Sequence, residues 1–290
     1  MGPVTTDGVA EFLDVRPQLF GIAYRMLGSV AEAEDVVQDA WLRWQRADRA
    51  EVRNPAAFLT TTATRLALTA ATSARARRET YPGPWLPEPV DTTDDPALGA
   101  EQAEALDLAV LLLMERLGPA ERAVYVLHEA FDYPYRRIAE ILEITEANAR
   151  QLARRARLAL ESDRSEPAPP AVRRRLVETF TAAARDGDLE ALERLFTEDV
   201  VAQADGGGKV HASQVELHGA ARVLLFIDNI LRKYWQDATF TVVDVNGGAG
   251  LLVTDAGHPV ALLALDATSR GVERVLFVVN PDKLRRFAPA

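Results

Sequence analysis

The sequence YRRIAEILEITEANARQLARRARLAL, residues 135–160, carries the clearest fold signature of the chain. A short amphipathic helix leads into a tight turn at Glu143, and a second helix starts on Thr145, a good N-cap residue. This spacing predicts a helix-turn-helix, whose second helix can enter the DNA major groove. Glycine is usual in such a turn because it accepts positive φ, so Glu143 should cost on the order of 1 kcal/mol.

Four side chains of the second helix are expected to face outward: Arg150, Gln151, Arg154 and Arg155. Arginine and glutamine suit bidentate contacts with base edges and pairing with phosphates. Taken alone, the segment also fits a helical hairpin with a solvated basic face. The neighbouring segments of the sequence distinguish between these two interpretations.

Helical periodicity also covers residues 11–78. Gly28 and Ser29 break it once, and Asn54 followed by Pro55 predicts the start of a third helix. The threonines between residues 60 and 64 weaken intrinsic helicity, so packing has to hold that helix.

Two proline-rich stretches divide the rest of the chain. Residues 80–96 contain five prolines, which predicts an extended linker, and residues 165–171 form a second one. Helical periodicity returns between them from Ala97. Beyond them we expect helices over 172–186, 188–196 and 219–234, and then four β-like runs. The predicted fold is two all-α domains followed by an α+β domain.

The net charge of −10 argues at first against a nucleic-acid partner, because DNA is itself a polyanion. The charge is segregated along the chain, however. Residues 52–78 hold five arginines and no acid, and residues 147–160 hold four arginines and no acid. Two basic segments inside an acidic chain are therefore candidate DNA-facing surfaces.

Four features follow one another along the chain: the run AEDVVQDAWLRW (33–44), the arginine-bearing helix after it, a linker, and the helix-turn-helix introduced by LGPAERAVYVLHEAF (117–131). Together they resemble the bacterial extracytoplasmic-function sigma factors. The resemblance covers about residues 10–160. It implies that residues 1–79 form region 2, which binds core RNA polymerase and the promoter −10 element. Residues 97–164 would form region 4, which reads the −35 element.

The resemblance also assigns residues by position. The residues expected to contact core RNA polymerase are Asp35, Gln38, Asp39 and Arg43. Those expected at the −10 element of promoter DNA are Arg65, Arg75, Arg77 and Arg78. Arg150, Gln151, Arg154 and Arg155 would contact the −35 element. A solvated helix face remains the alternative for Asp35, Gln38, Asp39 and Arg43.

Three further motifs are similar to the sigma-factor subgroup with a fused SnoaL-like (NTF2-like) C-terminal domain, here residues 172–290. The motifs are WLPEP (85–89), DGGGK (205–209) and NPDKL (280–284), and they hold two of the three lysines. The resemblance implies regulation in cis by this domain, with no separate anti-sigma factor. The expected interdomain residues are Trp85, Pro87, Glu88, Asp205, Gly206, Gly207, Lys209, Asn280, Asp282 and Lys283.

Some SnoaL-like domains are cyclases or isomerases, so five side chains are candidate catalytic residues: His211, His218, Asp228, Tyr234 and Trp235. No pair among them has a spacing that forces acid–base geometry, so we predict no enzyme, cofactor or metal. The alternatives are a ligand-responsive DNA-binding regulator and a sigma-like protein with an active cyclase or isomerase domain. A small-ligand pocket in the C-terminal domain stays open. The N-terminus lacks a signal-peptide pattern and no apolar run could span a membrane, so we expect a cytoplasmic protein.

Overall fold

The computed structural model describes residues 8–92, 107–161 and 166–288. Contacts between residues divide the chain into two compact units. The first comprises Met1–Glu79 and Leu113–Ser162, and the second comprises Thr80–Leu112 and Asp163–Ala290. The second unit therefore includes a stretch from the middle of the chain. The predicted order, helical segments followed by an α+β domain, is confirmed.

Three helices open the first unit: α1 (Val9–Leu27), α2 (Val30–Arg46) and α3 (Pro55–Glu79). Gly28 ends α1 in a left-handed conformation, and the Ser29 hydroxyl caps α2 by accepting from the Glu32 amide at 3.4 Å. The predicted cap of α3 is present, because Asn54 Oδ1 accepts from the Ala57 amide at 2.9 Å. Packing holds the threonine-rich part of α3, where Thr60 and Thr64 are buried.

Shorter helices follow: α4 (Leu108–Met114), α5 (Pro119–Tyr125), α6 (Tyr135–Leu142) and α7 (Glu146–Glu161). A π-helical turn, Val126–Ala130, continues α5. The first residues of α4, up to Leu112, belong to the second unit. Helices α5 and α6 pack against α3, so the two halves of the first unit share one core.

Helices α6 and α7 form the predicted helix-turn-helix. Glu143 has a φ of 56°, the left-handed conformation that was expected to be strained. The Ile144 amide donates to the Ala139 carbonyl at 3.0 Å, which closes α6. The Thr145 hydroxyl accepts from the Asn148 amide at 3.2 Å and caps α7. The local turn and cap chemistry therefore agrees with the sequence reading.

Besides the start of α4 and a 3-10 turn at Arg285–Phe287, the described residues of the second unit form three α-helices and a six-stranded sheet. The helices are α8 (Pro170–Asp186), α9 (Leu189–Leu195) and α10 (Ala220–Tyr234). The strands are β1 (Phe196–Asp205), β2 (Leu217–His218), β3 (Thr239–Val245), β4 (Gly248–Asp255), β5 (His258–Thr268) and β6 (Gly271–Val278).

The strand order is β2-β1-β6-β5-β4-β3, and β1 runs parallel to β6 while the other neighbours are antiparallel. The sequence predicted the last four strands but neither β1 nor β2. The register of β1 is irregular between Phe196 and Val201, where Glu198 and Asp199 are exposed. This interruption removes the alternation by which a strand is recognised.

Both faces of the sheet are covered. Helices α8 and α10 pack on the face that presents Leu263 and Phe277. The opposite face presents Leu262, Leu276 and Val278 to a second, smaller apolar cluster. Neighbouring residues of one strand point to opposite faces, so burial on both sides explains the nearly continuous apolar runs of β5 and β6.

The second apolar cluster is covered by residues 80–92, which we call the linker strap. Leu86 of the strap is fully buried in this cluster. At the edge of β3, Asp91 pairs with Val245, and Val90 exchanges two hydrogen bonds of 2.9 Å with Asn246. The sequence predicted a linker here whose WLPEP motif contacts the C-terminal domain, and the strap is a packed part of the second unit. Predictions for residues 93–106 lie outside the described residues.

Replacing Leu86 with alanine should destabilise the second unit by about 2–5 kcal/mol, because a fully buried side chain is removed from a packed cluster. Chemical denaturation monitored by circular dichroism measures this loss. Leu225→Ala is the control, since Leu225 is 70% exposed and should change stability by less than about 0.5 kcal/mol. Equal effects of the two substitutions would show that the strap is not packed as described.

Candidate functional site

Helix α7 presents a basic face to solvent. Arg150, Gln151 and Arg154 are exposed, while Leu152 faces the core. The Arg150 guanidinium lies 5.0 Å from the centre of the Tyr135 ring and pairs with Glu146 one turn earlier. These contacts hold Arg150 along the helix without burying it.

The C-terminal half of this basic face is partly neutralised. Arg155 pairs with Glu121 at 3.0 Å, and Arg157, which the sequence did not assign, pairs with Glu129. The hydrogen bonds that Arg157 donates to the Glu129 carboxylate raise the pKa of its guanidinium above the ordinary value. Along α7, Arg155 and Arg157 are therefore paired with acids outside the helix, whereas Arg150 pairs within it.

Helix α2 presents the polar residues that the sequence assigned to polymerase binding. The exposed side chains are Asp35, Gln38, Asp39 and Arg43. Beside them is an apolar depression of about 340 Å³ that is lined by residues of α1 and α2, among them Leu13, which is 57% exposed, and Trp41. The opposite side of α2 is buried through Val36 and Trp44. A charged rim around apolar side chains is typical of a protein-binding surface.

Arg65, expected to read the −10 element, is engaged by the helix-turn-helix within the first unit. Its Nε donates to the Ile141 carbonyl at 2.7 Å, and its Nη1 lies 2.9 Å from Glu143 Oε1. Arg137 makes the reciprocal contact, donating to the Ala57 carbonyl and to Thr61 Oγ1, both at 3.1 Å. The sequence did not identify Arg137, because this contact joins distant parts of the chain.

The other three arginines of α3 differ in exposure. Arg75 is exposed, and Arg77 is also exposed while pairing with Glu32. Arg78 is largely buried and bonds to Glu115 and to the Leu27 carbonyl. Burial lowers the pKa of the Arg78 guanidinium, and the Glu115 carboxylate opposes this shift. In this arrangement Arg78 contributes to packing within the unit.

Glu115 also binds a second buried arginine that the sequence did not identify. Arg122 of α5 donates to Glu115 Oε1 at 2.6 Å and to the Met26 carbonyl at 2.9 Å. One carboxylate thus joins α3, α5 and the end of α1. Charge-assisted hydrogen bonds of this kind hold the two halves of the first unit together.

In the second unit, the carboxylate of Asp205 joins two of the predicted motifs to the strap. Asp205 is fully buried at the end of β1. Its Oδ1 accepts from the Tyr81 hydroxyl at 2.7 Å and from the Gly207 amide at 3.0 Å. Its Oδ2 accepts from the Leu86 amide at 2.9 Å and lies 2.7 Å from Lys283 Nζ. We call Asp205, Lys283 and Tyr81 the strap clamp.

Lys283 completes the clamp from the C-terminal motif. Its ammonium lies 4.4 Å from the centre of the Trp85 ring and also donates to the Leu86 carbonyl. Asn280 Nδ2 donates to the Tyr81 hydroxyl at 3.0 Å. Burial and the Asp205 carboxylate raise the pKa of Tyr81, so its hydroxyl remains protonated at neutral pH and keeps donating. Pro87 is buried and Glu88 half-buried beside these contacts.

The glycines of DGGGK allow the loop to approach the strap. Gly207 has a φ of 60°, and a Cβ on it would lie 2.2 Å from Asn280 Nδ2. Next to it, a Cβ on Gly206 would lie 2.7 Å from the Val210 carbonyl oxygen. Lys209 points outward and pairs with Asp282, which lowers the pKa of that carboxyl. The two motif lysines therefore differ, since Lys283 is buried in the clamp and Lys209 is at the surface.

Three of the five candidate catalytic side chains share a cavity, and the other two are not in its lining. His211, Tyr234 and Trp235 line a cavity, whereas His218 lies 3.5 Å from Glu216 and Asp228 bonds to Arg232. Across the residues that the structure describes, no group of three or more His, Cys, Asp or Glu side chains could hold a metal ion. The described helices include none that is long and apolar enough to cross a membrane.

Comparison with known proteins decides the family. Residues 12–77 match the model for Sigma-70 region 2, and residues 107–160 match that for Sigma-70, region 4. The chain is 40% identical over 292 residues to the ECF RNA polymerase sigma factor SigJ of Mycobacterium tuberculosis, covering 95% of this chain and 92% of the relative. It belongs to the extracytoplasmic-function RNA polymerase sigma factors.

Two further similarities extend over nearly the whole sigma factor. It is 32% identical over 278 residues to the probable ECF RNA polymerase sigma factor SigI of M. tuberculosis, covering 93% of this chain and 92% of the relative. The crystal structure of M. tuberculosis SigJ superposes with a TM-score of 0.77 at 34% identity, covering 97% and 99% of the two chains. The chain is thus a transcription initiation factor that acts with core RNA polymerase and promoter DNA, not an enzyme.

Replacing Lys283 with methionine should cost about 3 kcal/mol of stability, because it leaves the buried Asp205 carboxylate without its cation. Lys209→Met is a matched control, since its pair with Asp282 is exposed and contributes at most about 1 kcal/mol. Urea denaturation of both variants measures the difference. Similar losses for the two lysines would contradict the assignment of Lys283 as the buried cation of the clamp.

Proposed function

We propose that this sigma factor contacts core RNA polymerase through α2 and promoter DNA through α3 and α7. The assigned polymerase contacts are Asp35, Gln38, Asp39 and Arg43. The assigned −10 contacts are Arg65, Arg75, Arg77 and Arg78, and the −35 contacts are Arg150, Gln151, Arg154 and Arg155. The exposure of all but Arg65 and Arg78 supports these roles. We further place region 2 in residues 1–79, region 4 in 97–164 and a regulatory domain in 172–290, in a cytoplasmic protein.

One observation carries the regulatory part of the proposal: Arg65 is bound by the turn of the helix-turn-helix. The −10 and −35 elements are about 25 base pairs apart, which is about 85 Å at about 3.4 Å per base pair. Helix α6 packs against both α3 and α7, so in this arrangement α3 and α7 cannot reach the two elements at once. The closed first unit has to open before it engages a promoter.

The linker strap controls how far the two regions can separate. The strap follows region 2 directly and, fully extended, its 13 residues span at most about 44 Å at about 3.4 Å per residue. While the strap is bound to the sheet, its two ends are held at a fixed separation. Its release makes this length available for the separation of region 4 from region 2.

We infer that the C-terminal domain regulates the sigma factor in cis by holding the strap, in place of a separate anti-sigma factor. The residues proposed for this role are Trp85, Pro87, Glu88, Asp205, Gly206, Gly207, Lys209, Asn280, Asp282 and Lys283. The strap clamp supports it, because one buried carboxylate is bonded by the strap and by both C-terminal motifs. Release of the strap requires these hydrogen bonds to break together, so the closed state persists until all of them are lost.

Tyr81→Phe should raise run-off transcription from a cognate promoter at least fivefold with purified core polymerase. The substitution removes the hydrogen bond that Tyr81 donates to Asp205 and the one that it accepts from Asn280, each worth about 1 kcal/mol, and leaves the ring in place. Thr241→Val, which removes an exposed hydroxyl from β3 of the same unit, should leave output unchanged. Unchanged or lower output of Tyr81→Phe, at equal folded protein, would refute regulation by the strap.

Arg137→Ala should also increase run-off transcription and unaided DNA binding, because it removes two bonds that hold α6 on α3. Arg136→Ala is the matched control. Arg136 is the adjacent arginine, is 84% exposed and pairs with Glu140 at 3.5 Å. If both variants behave like the wild type, the closed form of the first unit does not limit activity.

A further inference from the structure

A cavity of about 560 Å³ lies in the second unit between α10 and the helix-covered face of the sheet. Its innermost walls are the buried side chains of Ala204, Phe277 and Trp235. Phe226 and Ile230 of α10 cover it. A space of this size bounded mainly by apolar and aromatic groups is typical of a site for a small organic molecule.

The polar groups define the class of molecule. His211, Asn229 and Tyr234 are at the more exposed end of the cavity, together with the carboxylate of Asp255. In the described part of the chain no lysine or arginine lines it. An anionic ligand would meet a carboxylate and no cation, whereas an uncharged molecule could bury its apolar part and hydrogen-bond at the mouth.

The cavity and the strap clamp share their backbone. Ala204 and Val279 line the cavity, and the next residues, Asp205 and Asn280, hold the strap on the other side of the sheet. This follows from strand geometry, in which successive side chains point to opposite faces. We call the two places where a cavity residue is followed by a strap-binding residue junctions: Ala204–Asp205 and Val279–Asn280. The Val279 amide donates to the Asp205 carbonyl at 2.9 Å, which connects these two junctions.

A third junction is the glycine loop. Val210, Ala212 and Ser213 line the cavity immediately after DGGGK. A Cβ added to Gly206 would lie 2.9 Å from the Ala212 Cβ, so the loop and this wall are in close contact. Anything that moves the wall also moves the loop that carries Gly207 against Asn280.

We propose that this cavity binds an uncharged, largely apolar organic molecule and that its occupancy strengthens the strap clamp through the three shared junctions. A ligand packed on Ala204, Val210 and Val279 would fix the backbone from which Asp205 and Asn280 reach the strap. Such coupling is reciprocal, so a weakened clamp also weakens the ligand. The regulatory consequence, stronger repression when the cavity is filled, rests on the function proposed above.

Binding is tested on the full-length protein with Nile red, an uncharged apolar dye whose fluorescence rises in apolar sites. Asn229→Trp introduces a large side chain at the cavity mouth and should lower dye affinity at least tenfold. Leu225→Trp, on the exposed surface of the same helix, should not. Equal affinity of the wild type and Asn229→Trp would overturn the assignment of the cavity as the site.

Coupling is tested by hydrogen exchange of the strap with and without saturating dye. The Leu86 amide, which donates to Asp205, should exchange at least fivefold more slowly when dye is bound. Tyr81→Phe should lower dye affinity. Unchanged strap exchange at saturation would overturn the coupling. These measurements involve no transcription, so they can fail while the strap still regulates output, and they can succeed if it does not.

Discussion

The second unit and its link to the sigma regions depend on one interaction, the binding of the buried Asp205 carboxylate by a cation and hydrogen-bond donors. A carboxylate without solvent is tolerated only when a cation and hydrogen-bond donors surround it. Here the cation comes from Lys283, and two of the donors come from the strap, at Tyr81 and Leu86. The linker strap therefore packs as part of the C-terminal domain, because the buried charge of Asp205 needs the hydrogen-bond donors that the strap supplies.

Charged side chains also stabilise the first unit, where they join the helices of the two sigma regions. The Glu115 carboxylate holds Arg78 and Arg122, while Arg65 and Arg137 cross between α3 and α6. Some of the arginines that were expected to bind DNA thus make contacts within the protein. The strained Glu143 fits this pattern, because glycine would relieve its backbone but would lose the contact with Arg65. The net charge of −10 is accordingly no objection to DNA binding, since acidic groups pair with the arginines of the closed form.

Local chemistry made much of this predictable. The cap at Asn54, the turn at Glu143 and the periodicity of the helices follow from residue types at short spacing. The rarity of lysine drew attention to Lys283, which proved to be the buried one. Contacts between distant segments, such as those of Arg137 and of Tyr81, have no local signature. Strand β1 was missed because its charged, irregular start hides the alternation of its apolar residues.

The central claim, that the strap must leave the sheet for the sigma factor to work, can be tested with a reversible covalent lock. The chain has no cysteine, so Asp91→Cys and Val245→Cys introduce a single pair. The neighbouring hydrogen bonds make these residues a non-hydrogen-bonded antiparallel pair, whose Cα atoms are typically about 4.5 Å apart and within disulfide range. The variant is oxidised, freed of oxidant and assayed by run-off transcription with core polymerase. The account predicts little transcript from the oxidised protein and full recovery after reduction. Equal output from the oxidised and reduced forms would contradict it.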